Sequence, residues 1–132
     1  MAFVRHLALR CRDVENSRCF YEEAIGFKFV GYRPSGVSID MTDGNLNITL
    51  LPHDDQSRPQ LEEGEEYIHF GVFVDDLEGA WNRLKEWGAK VEKTVKGREA
   101  LDPEALPAVA FKAIDPDGNV IDVTCDKAEW RI

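Results

Sequence analysis

The chain has 132 residues, of which 43% are hydrophobic and 31% are charged, and its formal net charge is −9. This length and composition suit one globular domain with a real core, so we expect residues 1–132 to form a single domain. The acidic balance disfavours nucleic acid and anionic membranes as partners, because both would repel the chain. The absence of a transmembrane-length apolar run and the irregular spacing of three cysteines are typical of a cytoplasmic protein.

The first part of the chain predicts four strands and one helix. Residues 3–12 have the composition of a strand. Asp13 is a good N-cap for the amphipathic helix that follows, and Gly26 is typical of the position just after a helix. Three short strands, separated by turns that contain glycine, complete the segment. Residues 3–52 therefore have the predicted order βαβββ.

The second part of the chain repeats this order. Residues 53–66 are rich in proline and charge, which is typical of a linker, and residues 67–125 then form a second predicted βαβββ module. Residues 126–132 are left as a tail. Three pairs of residues occupy equivalent positions in the two modules: His6 and His69, Asp13 and Asp76, and Gly26 and Gly88.

The repeated histidine is the most informative feature of the chain. His6 and His69 each lie in the first strand of a module, and apolar side chains alternate onto the opposite face of that strand. A repeat of this kind can place two imidazoles symmetrically about one axis, and imidazole is a common metal ligand. We therefore predict a metal site that includes both histidines. A hydrogen-bonded core histidine is the alternative for either residue taken alone.

The paired βαβββ order, the two histidines and the closing motif DPDGNVIDV resemble the vicinal oxygen chelate superfamily over residues 3–125. That superfamily includes glyoxalase I, extradiol dioxygenases, fosfomycin-resistance enzymes, methylmalonyl-CoA epimerase and bleomycin-binding proteins. The resemblance implies an α+β fold. In such a fold, two tandem βαβββ modules pack to form one curved mixed-sheet half-barrel that encloses a cavity.

The resemblance also implies a carboxylate ligand in the last strand of each module. In the second module this residue is Asp122, where the family more often has glutamate. In the first module the inner face offers Asn47 and Thr49, which are weak ligands and which we assign to substrate binding. The implied metal ligands are therefore His6, His69 and Asp122. A site with three ligands and open positions is typical of Fe, Mn, Ni or Zn binding a substrate through two oxygens.

Other residues on the inner faces are candidates with two explanations each. Arg10 can bind a substrate carboxylate or form a salt bridge at the rim. Tyr67 can donate a proton near the metal as a catalytic residue, or it can pack in the core. Residues 95–107 form either a lid or a spacer. Trp81 and Trp87 are explained by packing or by a dimer contact, and we expect a homodimer.

These features favour a divalent-metal-dependent enzyme that acts on a small substrate chelated through adjacent oxygens. Dioxygenase-type chemistry is the leading hypothesis, because three ligands leave positions open for substrate. A glyoxalase I-like lyase or isomerase is the nearest alternative, although a four-ligand site would lack its fourth member. A metal-free protein that binds a small molecule, or confers resistance to one, is the alternative outside the enzymes.

Overall fold

The computed structural model describes residues 1–53, 69–89 and 105–130. The chain divides into two compact units, Met1–Pro59 and Gln60–Ile132. Most of the predicted linker, the strand expected after the second helix and most of the predicted loop before the last two strands lie outside the described residues. No helix in the described ranges has both the length and the apolar character needed to cross a bilayer.

The first unit contains one helix packed on a mixed sheet of four strands. Its elements are β1 (His6–Cys11), α1 (Val14–Phe20), a stretch of π-helix (Tyr21–Ile25), β2 (Lys28–Tyr32), β3 (Ile39–Thr42) and β4 (Asn47–Pro52). The strand order is β1-β4-β3-β2. Strand β1 runs parallel to β4, and the other neighbours are antiparallel. This unit therefore has the βαβββ order that the sequence predicts.

Local hydrogen bonds explain where the first helical segment begins and ends. Asp13 begins α1 because its carboxylate accepts hydrogen bonds from the backbone amides of Glu15 at 3.1 Å and Asn16 at 3.0 Å. Gly26 ends the helical stretch at a φ of 92°, a left-handed conformation that glycine adopts without strain. Strand β1 begins at His6, later than predicted, because its neighbour β4 begins at the paired residue Asn47.

The hydrophobic core of the first unit lies on one face of its sheet. The buried side chains there are Leu9, Cys11, Phe20, Tyr21, Ala24, Ile39, Met41, Ile48 and Leu50. Because side chains alternate along a strand, the residues between these positions point to the opposite face. We call that opposite face, which carries His6, Asp40, Asn47 and Thr49, the polar face of the first sheet.

The described part of the second unit repeats this plan. Its elements are β5 (His69–Phe73), α2 (Leu77–Glu86), β6 (Ala110–Ile114) and β7 (Val120–Thr124). The strand order is β5-β7-β6, with β5 parallel to β7 and β6 antiparallel to it. Asp76 caps α2 by accepting a hydrogen bond from the amide of Gly79 at 2.9 Å. The predicted α+β class, with one mixed sheet in each unit, is confirmed.

Helix α2 covers the apolar face of the second sheet. Trp81 is only 3% exposed, and its ring meets Phe111 edge-on with 5.0 Å between the ring centroids. Packing within the unit therefore accounts for Trp81. We call the opposite face, which carries His69, Gly71, Phe73, Lys112 and Asp122, the polar face of the second sheet.

Candidate functional site

Three polar side chains are in contact on the polar face of the second sheet. The strand register pairs Asp122 with Gly71 on β5 and with Lys112 on β6. Lys112 Nζ donates a hydrogen bond to Asp122 Oδ1 at 2.5 Å, and His69 Nε2 lies 3.0 Å from Asp122 Oδ2. Both oxygens of the Asp122 carboxylate therefore have a partner. We call His69, Lys112 and Asp122 the Asp122 cluster.

The Asp122 cluster contains a buried ammonium group. The side chain of Lys112 is 8% exposed, and that of Asp122 is 24% exposed. Burying a lysine to this extent is costly unless a carboxylate compensates its charge. Asp122 supplies that charge, so the two side chains form a neutral pair in which the lysine provides the positive partner. The carboxylate that the family resemblance assigns to a metal ion is thus already matched by a cation of the chain itself.

The described residues of this cluster do not fit a divalent metal ion held by His69 and Asp122. Metal–oxygen bonds are about 2.1 Å long, so an ion bound to either carboxylate oxygen would lie within about 5 to 7 Å of Lys112 Nζ. At an effective dielectric constant of about 20, repulsion at that separation costs about 2 to 3 kcal/mol for each charge on the ion. This repulsion lowers the affinity of the cluster for a divalent ion.

A second network occupies the polar face of the first sheet. His6 Nδ1 lies 2.6 Å from Asn47 Oδ1, and Thr49 Oγ1 lies 3.0 Å from the same oxygen. Thr49 Oγ1 also lies 2.6 Å from Asp40 Oδ1. Arg33 donates from Nε to Asp40 at 2.9 Å and from Nη2 to Thr49 at 3.1 Å. The network therefore links an ion pair at one end to His6 at the other.

Asp40 carries the fixed negative charge of this network. Burial raises the pKa of the Asp40 carboxyl, but hydrogen bonds from Thr49, Arg33 and Asn47 outweigh burial and lower it below its ordinary value. Asp40 is therefore ionised at neutral pH. Because its pKa is lower in the folded than in the unfolded chain, Asp40 stabilises the fold above the unfolded-state pKa of about 4. That contribution is lost as the pH falls through the folded-state value.

Replacing Thr49 with valine, which has the same shape, tests the link between this network and pH. We expect Thr49→Val to lower the free energy of unfolding at pH 7 by about 1 kcal/mol, because Asp40 loses one hydrogen-bond donor. The folded-state pKa of Asp40 then rises toward its unfolded value. The stability difference from wild type should therefore shrink as the pH falls below about 4 and through the folded-state pKa of Asp40. Urea denaturation at several pH values measures it.

Thr124 provides the matched control for that substitution. Its hydroxyl donates to the uncharged backbone carbonyl of Val109 at 3.2 Å. Thr124→Val should therefore lower stability by a similar amount at every pH. A Thr49→Val deficit that stayed constant with pH would contradict the assignment of the hydroxyl to the ionised Asp40.

The strand registers show which residues of the two polar faces occupy equivalent positions in their own sheets. In the first sheet Thr49 pairs with Ala8 on the parallel strand and with Asp40 on the antiparallel strand. In the second sheet Asp122 pairs with Gly71 and with Lys112 in the same way. Thr49 thus occupies the position of Asp122, and Asp40 occupies the position of Lys112. The first sheet therefore has an acid, Asp40, on β3 at the position where the second sheet has a base, Lys112, on β6.

The other predicted site residues have different positions in the structure. Asn47 and Thr49 both belong to the first network. Arg10 is exposed on β1, on the same face as His6. Tyr67 lies outside the described residues, so its catalytic role stays a prediction.

The proposed metal trio has members in both units, and it also stays a prediction. Among residues 1–53, 69–89 and 105–130, no three histidine, cysteine, aspartate or glutamate side chains are grouped to hold an ion. His69 and Asp122 are adjacent within the second unit. Lys112, which the sequence reasoning did not consider, is the residue that argues against a metal there.

Sequence reasoning missed three charged residues of these networks. Lys112 stands inside the apolar strand segment AVAFKAI, and Asp40 stands between the core residues Ile39 and Met41. A charged residue at an interior strand position is a signal that could have identified both, because alternation directs each of them away from the core. Arg33 lies in a turn and gives no comparable signal.

Each unit has one helix packed on a mixed sheet whose opposite face is polar, and the described elements follow the order βαβββ in the first unit and strand, helix, strand, strand in the second. The family model for the Glyoxalase/Bleomycin resistance protein/Dioxygenase superfamily matches residues 4–123. The chain therefore belongs to that superfamily, as the sequence resemblance predicts. The comparison with curated proteins gave no match.

Several solved structures share the fold. Glyoxalase I of Leishmania major is 17% identical, with a TM-score of 0.69, covering 94% of this chain and 86% of that one. The fosfomycin resistance protein FosX from Mesorhizobium loti is 14% identical, with a TM-score of 0.69 and coverages of 97% and 94%. TnmS3, an antibiotic-binding protein from Streptomyces sp. CB03234, is 22% identical, with a TM-score of 0.63 and coverages of 94% and 95%. At these identities the likeness establishes the fold alone.

Proposed function

We propose that this protein is a metal-independent member of the superfamily that binds a small molecule on the polar face of its second sheet. The observation that carries the proposal is the 2.5 Å contact between Lys112 Nζ and Asp122 Oδ1. Lys112 supplies at this carboxylate the positive charge that a metal would otherwise supply. The Asp122 cluster then acts as a set of hydrogen-bonding groups for a ligand, with no Lewis acid required.

The fold supports the binding part of this proposal. Superfamily folds are shared by enzymes and by binding proteins, so the side chains of the site, and not the fold, decide the activity. Here the described polar face of the second sheet combines an ammonium, a carboxylate and an imidazole in direct contact. Such groups can donate hydrogen bonds to ligand oxygens and accept them from ligand hydroxyl or amine groups.

A metal-dependent enzyme is the competing hypothesis, and one distance favours it. His69 Nε2 and Asp122 Oδ2 are 3.0 Å apart, a separation that also suits two adjacent ligands of a single metal ion. With His6 as a third ligand, this hypothesis leads to dioxygenase or glyoxalase I-like chemistry on a substrate that chelates through two oxygens. The repulsion from Lys112 is the argument against it.

Metal uptake by the purified wild-type protein separates the two hypotheses. The protein is incubated with excess Mn²⁺, Ni²⁺ or Zn²⁺, or anaerobically with Fe²⁺, then desalted and analysed by inductively coupled plasma mass spectrometry. We expect well below one ion per chain, and no thermal stabilisation by any of the four ions. A specifically bound ion at a hundredfold excess over its Kd would instead stabilise the fold by about 2.7 kcal/mol.

Two histidine variants make this result interpretable. Stoichiometric metal that is lost in His69→Ala but kept in His53→Ala would overturn metal independence in favour of the enzyme hypothesis. His53 is the matched control because it directly follows β4 in the first unit, whereas His69 lies in the second unit. Metal that is lost in His53→Ala but kept in His69→Ala would be surface binding and would leave the proposal intact.

A further inference from the structure

The C-terminal segment after β7 returns to the polar face of the second sheet. A Cβ atom built on Gly71 would lie 2.3 Å from Cζ2 and 2.7 Å from Cη2 of Trp130. The indole of Trp130 therefore rests directly against the backbone of β5, on the side where any other residue would carry its side chain. Only a glycine at position 71 leaves room for that contact, since all other residues have a Cβ.

The return of the chain is an ordered turn. The amide of Asp126 donates to Thr124 Oγ1 at 3.1 Å, and Asp126 Oδ1 accepts from the amide of Ala128 at 2.8 Å. Lys127 Nζ lies 6.0 Å from the ring centroid of Phe73, at the end of β5. Two side chains of this segment, those of Lys127 and Trp130, thus contact neighbouring positions on one face of β5.

Trp130 lies beside the Asp122 cluster. Gly71, on which the indole rests, is the register partner of Asp122, and neighbouring strands are about 4.8 Å apart. His69 and Phe73 flank Gly71 on the same face of β5 because side chains alternate along a strand. Trp130 and Phe73 are each 41% exposed. An exposed aromatic surface and a compact polar cluster therefore adjoin each other.

We propose that Trp130 is a stacking platform for a planar aromatic ligand whose oxygen substituent binds the Asp122 cluster. This inference rests on the proposed function and narrows its ligand class. A partly exposed indole such as that of Trp130 binds flat aromatic rings better than saturated ones of equal size, because aromatic rings in contact gain energy beyond simple burial. The Lys112–Asp122 pair has no net charge, so a neutral hydroxyl or carbonyl oxygen suits the cluster as hydrogen-bonding partner.

Binding of 2-naphthol to the full-length protein tests the platform. Isothermal titration calorimetry should show binding of 2-naphthol, and weaker binding of both decahydro-2-naphthol, which has no flat ring, and naphthalene, which has no oxygen. Trp130→Ala should weaken 2-naphthol binding about tenfold, whereas Trp130→Phe, which keeps a ring, should weaken it about threefold or less. Gly71→Ala should resemble Trp130→Ala, because the added methyl group displaces the indole.

The indole N–H signals in a ¹H–¹⁵N spectrum report on the site directly. The signal that is missing in Trp130→Phe identifies Trp130, and this signal should shift on addition of 2-naphthol while those of Trp81 and Trp87 stay in place. Trp87→Phe is the control for loss of a tryptophan, and it should leave the affinity unchanged. Circular dichroism of each variant confirms that it is folded before its affinity is interpreted.

Three results would overturn the platform: no binding of 2-naphthol by wild type, unchanged affinity in a folded Trp130→Ala variant, or equal affinity for the saturated analogue. These results are distinct from failure of the proposed function, which metal uptake decides. A protein that binds 2-naphthol through Trp130 and also takes up metal through His69 would retain the platform and lose metal independence. A protein that takes up no metal and does not bind 2-naphthol would retain metal independence and lose the platform.

Discussion

Replacing Lys112 with methionine is expected to lower the free energy of unfolding by about 2 to 4 kcal/mol at pH 7. The substitution keeps an unbranched side chain that lacks only the terminal ammonium group, which leaves the Asp122 carboxylate without its closest partner. Removing one member of a buried ion pair is more costly than the pair itself is stabilising, because the other charge stays desolvated. Asp122 is 24% exposed, so water recovers part of the loss. Urea denaturation followed by circular dichroism measures the change.

A double-mutant cycle isolates the Lys112–Asp122 interaction from other effects of the substitution. The cycle needs Lys112→Met, Asp122→Leu and the double variant. We expect the double variant to be at least 1.5 kcal/mol more stable than the sum of the two single effects predicts, because it leaves no unpaired charge. Lys28→Met is the control, since Lys28 is an exposed strand lysine, and its effect should stay within about 0.5 kcal/mol. Additive single effects would show that the pair does not contribute as a unit.

Asp115→Ala is expected to lower the free energy of unfolding by about 3 kcal/mol. Asp115 is 4% exposed, and its Oδ1 accepts hydrogen bonds from the amides of Asp117 at 2.9 Å and Asn119 at 2.8 Å. Its Oδ2 accepts from Asn119 Nδ2 at 2.6 Å. Alanine would leave these donors unpaired in a buried turn, and that turn leads into β7, which carries Asp122. Chemical denaturation measures the loss, and exchange of the β7 amides reports whether the strand loosens.

Asp43 provides the matched control in the first unit. Its Oδ1 accepts from the amides of Asn45 at 2.8 Å and Leu46 at 2.7 Å, but this turn is exposed. Water can replace the carboxylate there, so Asp43→Ala should cost about 1 kcal/mol or less. If both substitutions had the same effect, burial of the Asp115 turn would not be the cause of its larger contribution.

The order of elements and the ends of the helices were predictable because short-range interactions determine them. Asp13 and Asp76 cap their helices by bonds to amides two or three residues away. Gly26 and Gly88 both have positive φ values. The alternation of apolar residues in the strands likewise depends only on the local pleat. These signals sufficed for the α+β class and for the repeat, and the repeat pointed to the superfamily.

The chemistry of the candidate site depended on contacts between residues that no local sequence pattern predicts. Alternation within each strand is a local property, so the sequence by itself determined which neighbours share a face with His69 and which share a face with Asp122, and the family resemblance implied that the two residues belong to one site. Only the tertiary structure decided that Lys112, ten positions from Asp122, would face that carboxylate, since strand pairing sets which residues are opposite. The contact between the Trp130 indole and Gly71 was also decided by the tertiary structure, because it depends on the path of the chain after β7.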